Sequence, residues 1–80
     1  MSKAELERRK LREMSRLLLG YETEDREEIE YRLENPLPVG EEWGVVRVAK
    51  EMLNKRYENE MELERDLKRL KSAILWALWD

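Results

Sequence analysis

Two glutamates with helical spacing are the first residues that could do chemistry. Glu60 and Glu64 lie four positions apart, so on a helix both carboxylates would share one face. Paired helix carboxylates hold di-metal centres in bundles, but those centres also take histidines from a Glu-x-x-His pattern. The 80-residue chain contains no histidine. The pair is therefore interpreted as a solvated helix face, and the sequence predicts neither a metal nor another cofactor.

The hydroxyl side chains are the next candidates, as nucleophiles. Ser15, Thr23 and Ser72 would each need a neighbouring base, and the chain has no imidazole to supply one. Cysteine is absent as well, which removes thiolate nucleophiles, disulfides and thiolate zinc sites. The three glycines are isolated from one another, so no phosphate-cradling loop is present. The sequence predicts that the protein is not an enzyme.

A basic run at residues 8–12 could attract nucleic acid or an anionic membrane surface. Glu5, Glu7 and Glu13 interleave with this run, and no aromatic residue lies within it to stack on a base. The whole chain also carries a net charge of −3. We interpret the run as a solvated helix face, and we expect no nucleic-acid partner.

The most apolar stretch lies near the C-terminus and offers a binding surface. Leu75, Trp76 and Trp79 could close the end of a small core, with the partial exposure that is normal for large side chains. They could instead bind a partner or a second copy of the chain, because tryptophan is enriched at interfaces. Ile74 and Leu78 share one helix face while Trp76 points away from it, which favours some exposure. A homodimer through the C-terminal helix is the form that self-association would take.

Membrane contact is not expected. No stretch of the sequence approaches the roughly 18–20 apolar residues that a spanning helix needs. The first residues are charged rather than apolar, unlike a signal peptide. The sequence therefore predicts a soluble protein with no targeting signal, cytoplasmic if it is expressed in a host, that requires no partner.

The residue composition predicts the elements that would position these side chains. Charged residues make up 44% of the chain, and leucine, glutamate, arginine and lysine, all good helix formers, account for more than half of it. No window alternates apolar and polar residues as a half-buried strand would. We predict an all-α fold in a single helical domain, residues 1–80. The expected architecture is a small bundle of four helical segments, at about residues 3–19, 24–34, 41–57 and 60–79.

Capping signals support these boundaries. Ser2 with Glu5 forms a capping-box pattern before the first segment, and Asp25 with Glu28 forms another before the second. Gly20 can adopt the left-handed conformation that ends a helix. Two prolines within residues 35–40 break the helical pattern between the second and third segments.

The junction at residues 57–60 allows two architectures. It has no glycine or proline, and the apolar repeat continues through it almost in phase. One continuous long helix is therefore an alternative for the last two segments, and it would require association to cover its apolar side chains. Against this, Asn59 with Glu62 reads as a third capping box. We favour a turn and a compact monomeric bundle, with Leu67 at the centre of the last inward stripe and Leu78 at its end.

Charge is segregated along the chain. Net charges are +3 for residues 1–16, −5 for 22–34, −3 for 41–64 and +2 for 65–80. This order places opposite signs on the first two segments and again on the last two. The pattern selects which helices pair more than it adds stability, since exposed ion pairs contribute only ~0–1 kcal/mol.

Taken together, the stacked capping boxes, the Glu/Arg/Lys-rich surface and the leucine stripes resemble computationally designed helical proteins. The absence of cysteine, histidine and glutamine agrees with that resemblance. The proline loop and Gly44 within a helical segment are closer to natural structure, so the likeness is to a bundle assembled from natural helical pieces. Hyperthermophile and viral proteins can show a similar composition. The resemblance implies a structural scaffold without natural biochemical activity. The alternative is a small helical protein-interaction module that uses its Leu/Trp-rich helix face.

Overall fold

A computed structural model describes residues 2–34 and 43–78, with Trp43 described through its backbone alone. Four helices follow one another along the chain: α1 (Lys3–Leu19), α2 (Arg26–Leu33), α3 (Trp43–Asn54) and α4 (Glu60–Leu78). No strand occurs in these two stretches of chain. The predicted all-α bundle of four helices is therefore confirmed. The predicted proline break at residues 35–40 lies outside the described residues.

Helix α1 begins and ends where its capping residues predict. The Ser2 hydroxyl accepts a hydrogen bond from the backbone N–H of Glu5 at 3.2 Å. Gly20 adopts a left-handed conformation with φ of 87° and donates its N–H to the carbonyl of Arg16 at 3.1 Å. Only glycine takes this conformation without strain, so the chain reverses directly after Leu19.

Helix α2 begins two residues later than predicted because Asp25 is its N-cap. The Asp25 carboxylate accepts the N–H groups of Glu27 at 3.0 Å and Glu28 at 3.4 Å. A residue that caps in this way stays outside the helix. The preceding turn is fixed to α1 by Ser15, whose fully buried hydroxyl accepts the N–H of Thr23 at 2.9 Å.

Helices α3 and α4 are separate, so the continuous-helix alternative is wrong. Helix α3 ends at Asn54 rather than at residue 57, and residues 55–59 form the connection. Asn59 caps α4 by accepting the N–H of Glu62 at 3.0 Å, while the Glu62 carboxylate accepts the N–H of Glu58 at 3.1 Å. The capping pattern thus outweighs the in-phase apolar repeat. The predicted end of α4 at residue 79 lies outside the described residues.

Ion pairs mark how the helices run against each other. Lys3 pairs with Glu58 at 3.2 Å and Arg9 with Glu64 at 3.3 Å. The second member of each pair lies 55 positions after the first, so α1 and α4 lie side by side and parallel. Helix α3 runs antiparallel to α4, while α2 contacts both α1 and α3.

All four helices contribute apolar side chains to the core, and Tyr57 of the α3–α4 connection joins them. Its buried apolar side chains are Leu6, Leu11, Met14, Leu18, Leu19, Ile29, Leu33, Val45, Val48, Ala49, Met52, Leu53, Tyr57, Leu63, Leu70 and Ile74. Two predictions about α4 were wrong: Leu67 only packs against the edge of this core, and Leu78 is 58% exposed. Asp66 is buried along with Leu63 and Leu70, so the inward face of α4 is rotated slightly from the predicted one.

Candidate functional site

A buried lysine forms the centre of a polar corner where α1 meets the end of α3. The Lys10 side chain is 1% exposed. Its ammonium lies 3.3 Å from the Leu53 carbonyl, 3.2 Å from the Lys55 carbonyl and 2.5 Å from a Glu7 carboxylate oxygen. An ammonium has three N–H donors, so all of them are occupied. Lys10 therefore satisfies carbonyl groups at the end of α3 that have no partner within the helix.

A second part of the same corner joins the α3–α4 connection to α4. The Tyr57 hydroxyl donates to the Asp66 carboxylate at 2.6 Å, and the Lys55 ammonium lies 3.4 Å from the same oxygen. The Lys55 ammonium also lies 5.1 Å from the centre of the Tyr57 ring, within range of a cation–π contact. We call the set Lys10, Lys55, Tyr57 and Asp66 the polar corner.

The environment of the corner shifts two pKa values. Burial, followed by the hydrogen bond to Asp66, raises the pKa of Tyr57 far above its ordinary value. Burial alone would raise the pKa of Asp66, but the hydrogen bonds from Tyr57 and Lys55 outweigh it and lower that pKa. At neutral pH the corner therefore holds a neutral phenol and an ionised carboxylate. Neither group is poised to exchange a proton near pH 7.

A cleft of about 710 Å³ opens beside this corner, between the start of α1 and the end of α3. Its basic lining residues are Lys3, Lys10, Arg26, Lys55 and Arg56. Four of these cations already pair with the carboxylates of Glu58, Glu7, Glu30 and Asp66. Arg56 makes no hydrogen bond or ion pair with the described residues. The cleft is therefore close to electrically balanced and has little attraction for an anion.

The predicted binding surface lies at the other end of the molecule. Leu75 is 58% exposed and Trp76 is 81% exposed. Both lie on the side of α4 that faces away from the buried Ile74. Trp79, the third residue predicted for this surface, lies outside the described residues, as does the side chain of Trp43. The surface remains a prediction, and its described part is open to solvent.

The other residues considered for chemistry do not come together. Glu64 pairs with Arg9 of α1, and the Ser15 hydroxyl is buried against backbone groups. Within residues 2–34 and 43–78 no group of three or more acidic side chains is arranged to hold a metal ion. In the same stretches no helix has the length and apolar character needed to cross a bilayer.

The polar corner was not predicted from the sequence, although the positions of Lys10 and Asp66 within the inward stripes of their helices indicate it. Lys10 lies four residues after Leu6 and four before Met14, both of which are buried. Asp66 lies between Leu63 and Leu70 at the same kind of spacing. A charged residue within an inward stripe is rarely buried without a partner, and no local pattern identifies partners that are distant in the chain.

Comparisons with protein families, with curated proteins and with solved structures find no match to this chain.

Proposed function

We propose that the protein is a structural scaffold of the computationally designed helical kind, whose role is to maintain a rigid four-helix fold. The observation that carries the proposal is how the buried polar side chains are used. Lys10, Ser15 and Asp66 are the buried polar residues in the described chain. Each of them bonds to a connection or to the end of a helix.

The hydrogen bonds of these three buried side chains hold the connections between helices in place, as a scaffold requires. Ser15 holds the turn before α2, Lys10 holds the end of α3, and Asp66 holds the α3–α4 connection through Tyr57. No buried side-chain nitrogen or oxygen in the described residues lacks a hydrogen-bond partner. Fully satisfied polar networks make a fold rigid and specific. Catalytic sites, by contrast, often hold groups whose pKa is shifted toward neutral pH, whereas the pKa values of Tyr57 and Asp66 are shifted away from it.

Native-state hydrogen exchange tests the scaffold proposal. If the fold is one rigid unit, the protected amides of Thr23 and Leu63 should exchange only through global unfolding, like those in the middle of α1. The matched variant is Ser15→Ala, which should lower protection at Thr23 and leave that at Leu63 equal to the new global value. Connections that opened several kcal/mol more easily than the helices in the unchanged protein would contradict a rigid scaffold.

The second candidate is a protein-interaction module that uses the exposed end of α4, and a specific observation favours it. Residues 72–79 are the longest uncharged run in a chain that is 44% charged. In the described part of this run, Leu75 and Trp76 face solvent. Exposed apolar patches with polar rims commonly mark interaction surfaces.

Molar mass as a function of concentration separates the two candidates. A scaffold alone stays monomeric, whereas self-association through this surface raises the mass as concentration increases. The double change Leu75→Ser and Trp76→Ser should then abolish the increase. Met61→Ser is the matched control, because Met61 is 76% exposed at the opposite end of the same helix. An equal effect of both variants would indicate nonspecific hydrophobic association rather than a defined interaction surface.

A further inference from the structure

The solvent side of α4 carries a stripe of basic and aromatic residues. Arg65, Lys68, Ser72 and Trp76 recur at helical spacing, and all four are exposed. They lie opposite the buried Leu63, Leu70 and Ile74. Neither Arg65 nor Lys68 makes an ion pair with the described residues. We call these four residues the basic stripe.

The solvent side of α2, together with Glu24 before its N-cap and Glu34 at its C-cap, carries a stripe of the opposite charge. It consists of Glu24, Glu27, Tyr31 and Glu34, which are all exposed, and Tyr31 is 66% exposed. These residues lie opposite Ile29 and Leu33, which face the core. Glu24 pairs with Arg12 at 3.1 Å but remains partly exposed. We call these four residues the acidic stripe.

We propose that the basic stripe of one molecule binds the acidic stripe of a second copy of this chain. The two stripes are opposite in charge, and each carries one exposed aromatic side chain. Opposite charges on facing surfaces steer association and fix its register. Each molecule presents both halves of the contact, so the complementary surface is always present at equal concentration. The inference rests on the interaction function proposed above and names its partner.

The arrangement of the helices determines the symmetry of this contact. Each stripe lies on the outer side of its helix, so neither stripe can satisfy the other within one molecule. A contact between two different surfaces is head-to-tail and can extend into open chains. Helix α2 has only 8 residues, about 12 Å in length, so the contact area is small. We therefore expect weak association that depends strongly on salt.

Sedimentation of the intact protein at two salt concentrations provides the first test. The dissociation constant should rise about tenfold or more between about 20 mM and about 500 mM sodium chloride. Reversing the charge of the basic stripe, with Arg65→Glu and Lys68→Glu, should abolish association. So should reversing the acidic stripe with Glu27→Lys and Glu34→Lys. Arg8→Glu is the control, since Arg8 is exposed on α1 and makes no ion pair with the described residues.

Mixing the two charge-reversed variants gives the decisive result. The first variant then carries only acidic stripes and the second only basic stripes, so neither should associate with itself. Equal amounts of the two should associate with each other, through the acidic stripe of the first and the basic stripe of the second. Circular dichroism of each variant confirms that it remains folded.

Two outcomes would overturn the inference without overturning the interaction function. The first is association that the acidic-stripe variant leaves unchanged but that Leu75→Ser with Trp76→Ser abolishes. The second is a mixture of the charge-reversed variants that remains monomeric while the unchanged protein associates. A protein that stays monomeric at low salt and high concentration would overturn both proposals.

Discussion

The two ends of α4 differ in which kind of side chain is buried and which is exposed. Near its start, Asp66 is a charged side chain that is buried, and it is bound by Tyr57 and Lys55. Near its end, Leu75 and Trp76 are apolar side chains that remain exposed. Residue type alone would predict the reverse at both places.

The register of the parallel helices explains the difference. Carrying the Lys3–Glu58 and Arg9–Glu64 pairing along both helices places Leu19 level with Ile74. Helix α1 ends there, because Gly20 turns the chain away. Leu75 and Trp76 lie past this point and on the side of α4 that faces away from Ile74, so α1 does not cover them. Near the start of α4, by contrast, α1 and the end of α3 converge and enclose the polar corner. Exposure along α4 thus depends both on the side of the helix on which a residue lies and on where the neighbouring helices end.

The largest expected effect is the difference in stability between two leucine-to-alanine variants, one near each end of α4. Leu63→Ala, near the start of α4, should lower the free energy of unfolding by ~2–5 kcal/mol, because a fully buried side chain leaves a cavity. Leu75→Ala should change it by less than ~0.5 kcal/mol, because this side chain is mostly exposed. Urea unfolding at low protein concentration measures both values. Similar losses for both variants would contradict the difference between the two ends.

Lys10→Met tests the centre of the polar corner. We expect a loss of ~2–4 kcal/mol, because the carbonyls of Leu53 and Lys55 lose their donor although the new side chain still fills the space. Lys50→Met is the matched control, since Lys50 is an exposed lysine of α3 and should have little effect. Thermal and urea unfolding give the comparison. An unchanged or higher stability for Lys10→Met would show that packing alone forms this corner.

Tyr57→Phe removes one hydrogen bond to a carboxylate and should lower stability by ~1.5–3 kcal/mol at neutral pH. The lowered pKa of Asp66 adds a pH dependence. Because the folded pKa lies below the unfolded value of about 3.9, this stabilisation is complete above that pH. It is lost as the pH falls through the folded pKa.

The raised pKa of Tyr57 acts at the alkaline end. Its stabilising contribution is complete below the unfolded pKa of about 10 and is lost as the pH rises above it. The stability difference between the unchanged protein and Tyr57→Phe should therefore be flat between about pH 5 and 9 and shrink on both sides. Urea unfolding across this pH range measures the difference, and a constant value down to pH 2 would contradict the Asp66 assignment.

The smallest effect is expected at the N-cap of α4. Asn59→Ala should lower stability by ~1 kcal/mol, because the N–H of Glu62 loses its acceptor. Asn59→Asp is the matched control and should retain most of the stability, since a carboxylate caps equally well. A change to a long helix and a dimer in Asn59→Ala would show that this cap alone separates α3 from α4.

Local chemistry was sufficient to predict the helices. Ser2, Gly20 and Asp25 cap helices through contacts with residues only a few positions away, so their patterns are visible in the sequence. The turn near Asn59 was predicted for the same reason. The error at the end of α3 has a different origin, because the side chain that satisfies its last carbonyls is Lys10, more than 40 positions earlier.

The all-α fold, most of the helix boundaries and most of the apolar core residues can be predicted from the amino-acid sequence. These features follow from helix propensity, capping and a repeat of 3.6 residues, which act over one or two turns. Packing between the helices, rather than any local pattern, buries Lys10 and Asp66, places Leu67 at the edge of the core and leaves Leu78 exposed. Those outcomes depend on the parallel register of α1 and α4 and on the point where each helix stops. Contacts between residues distant in the chain set that register, and no short stretch of sequence encodes it.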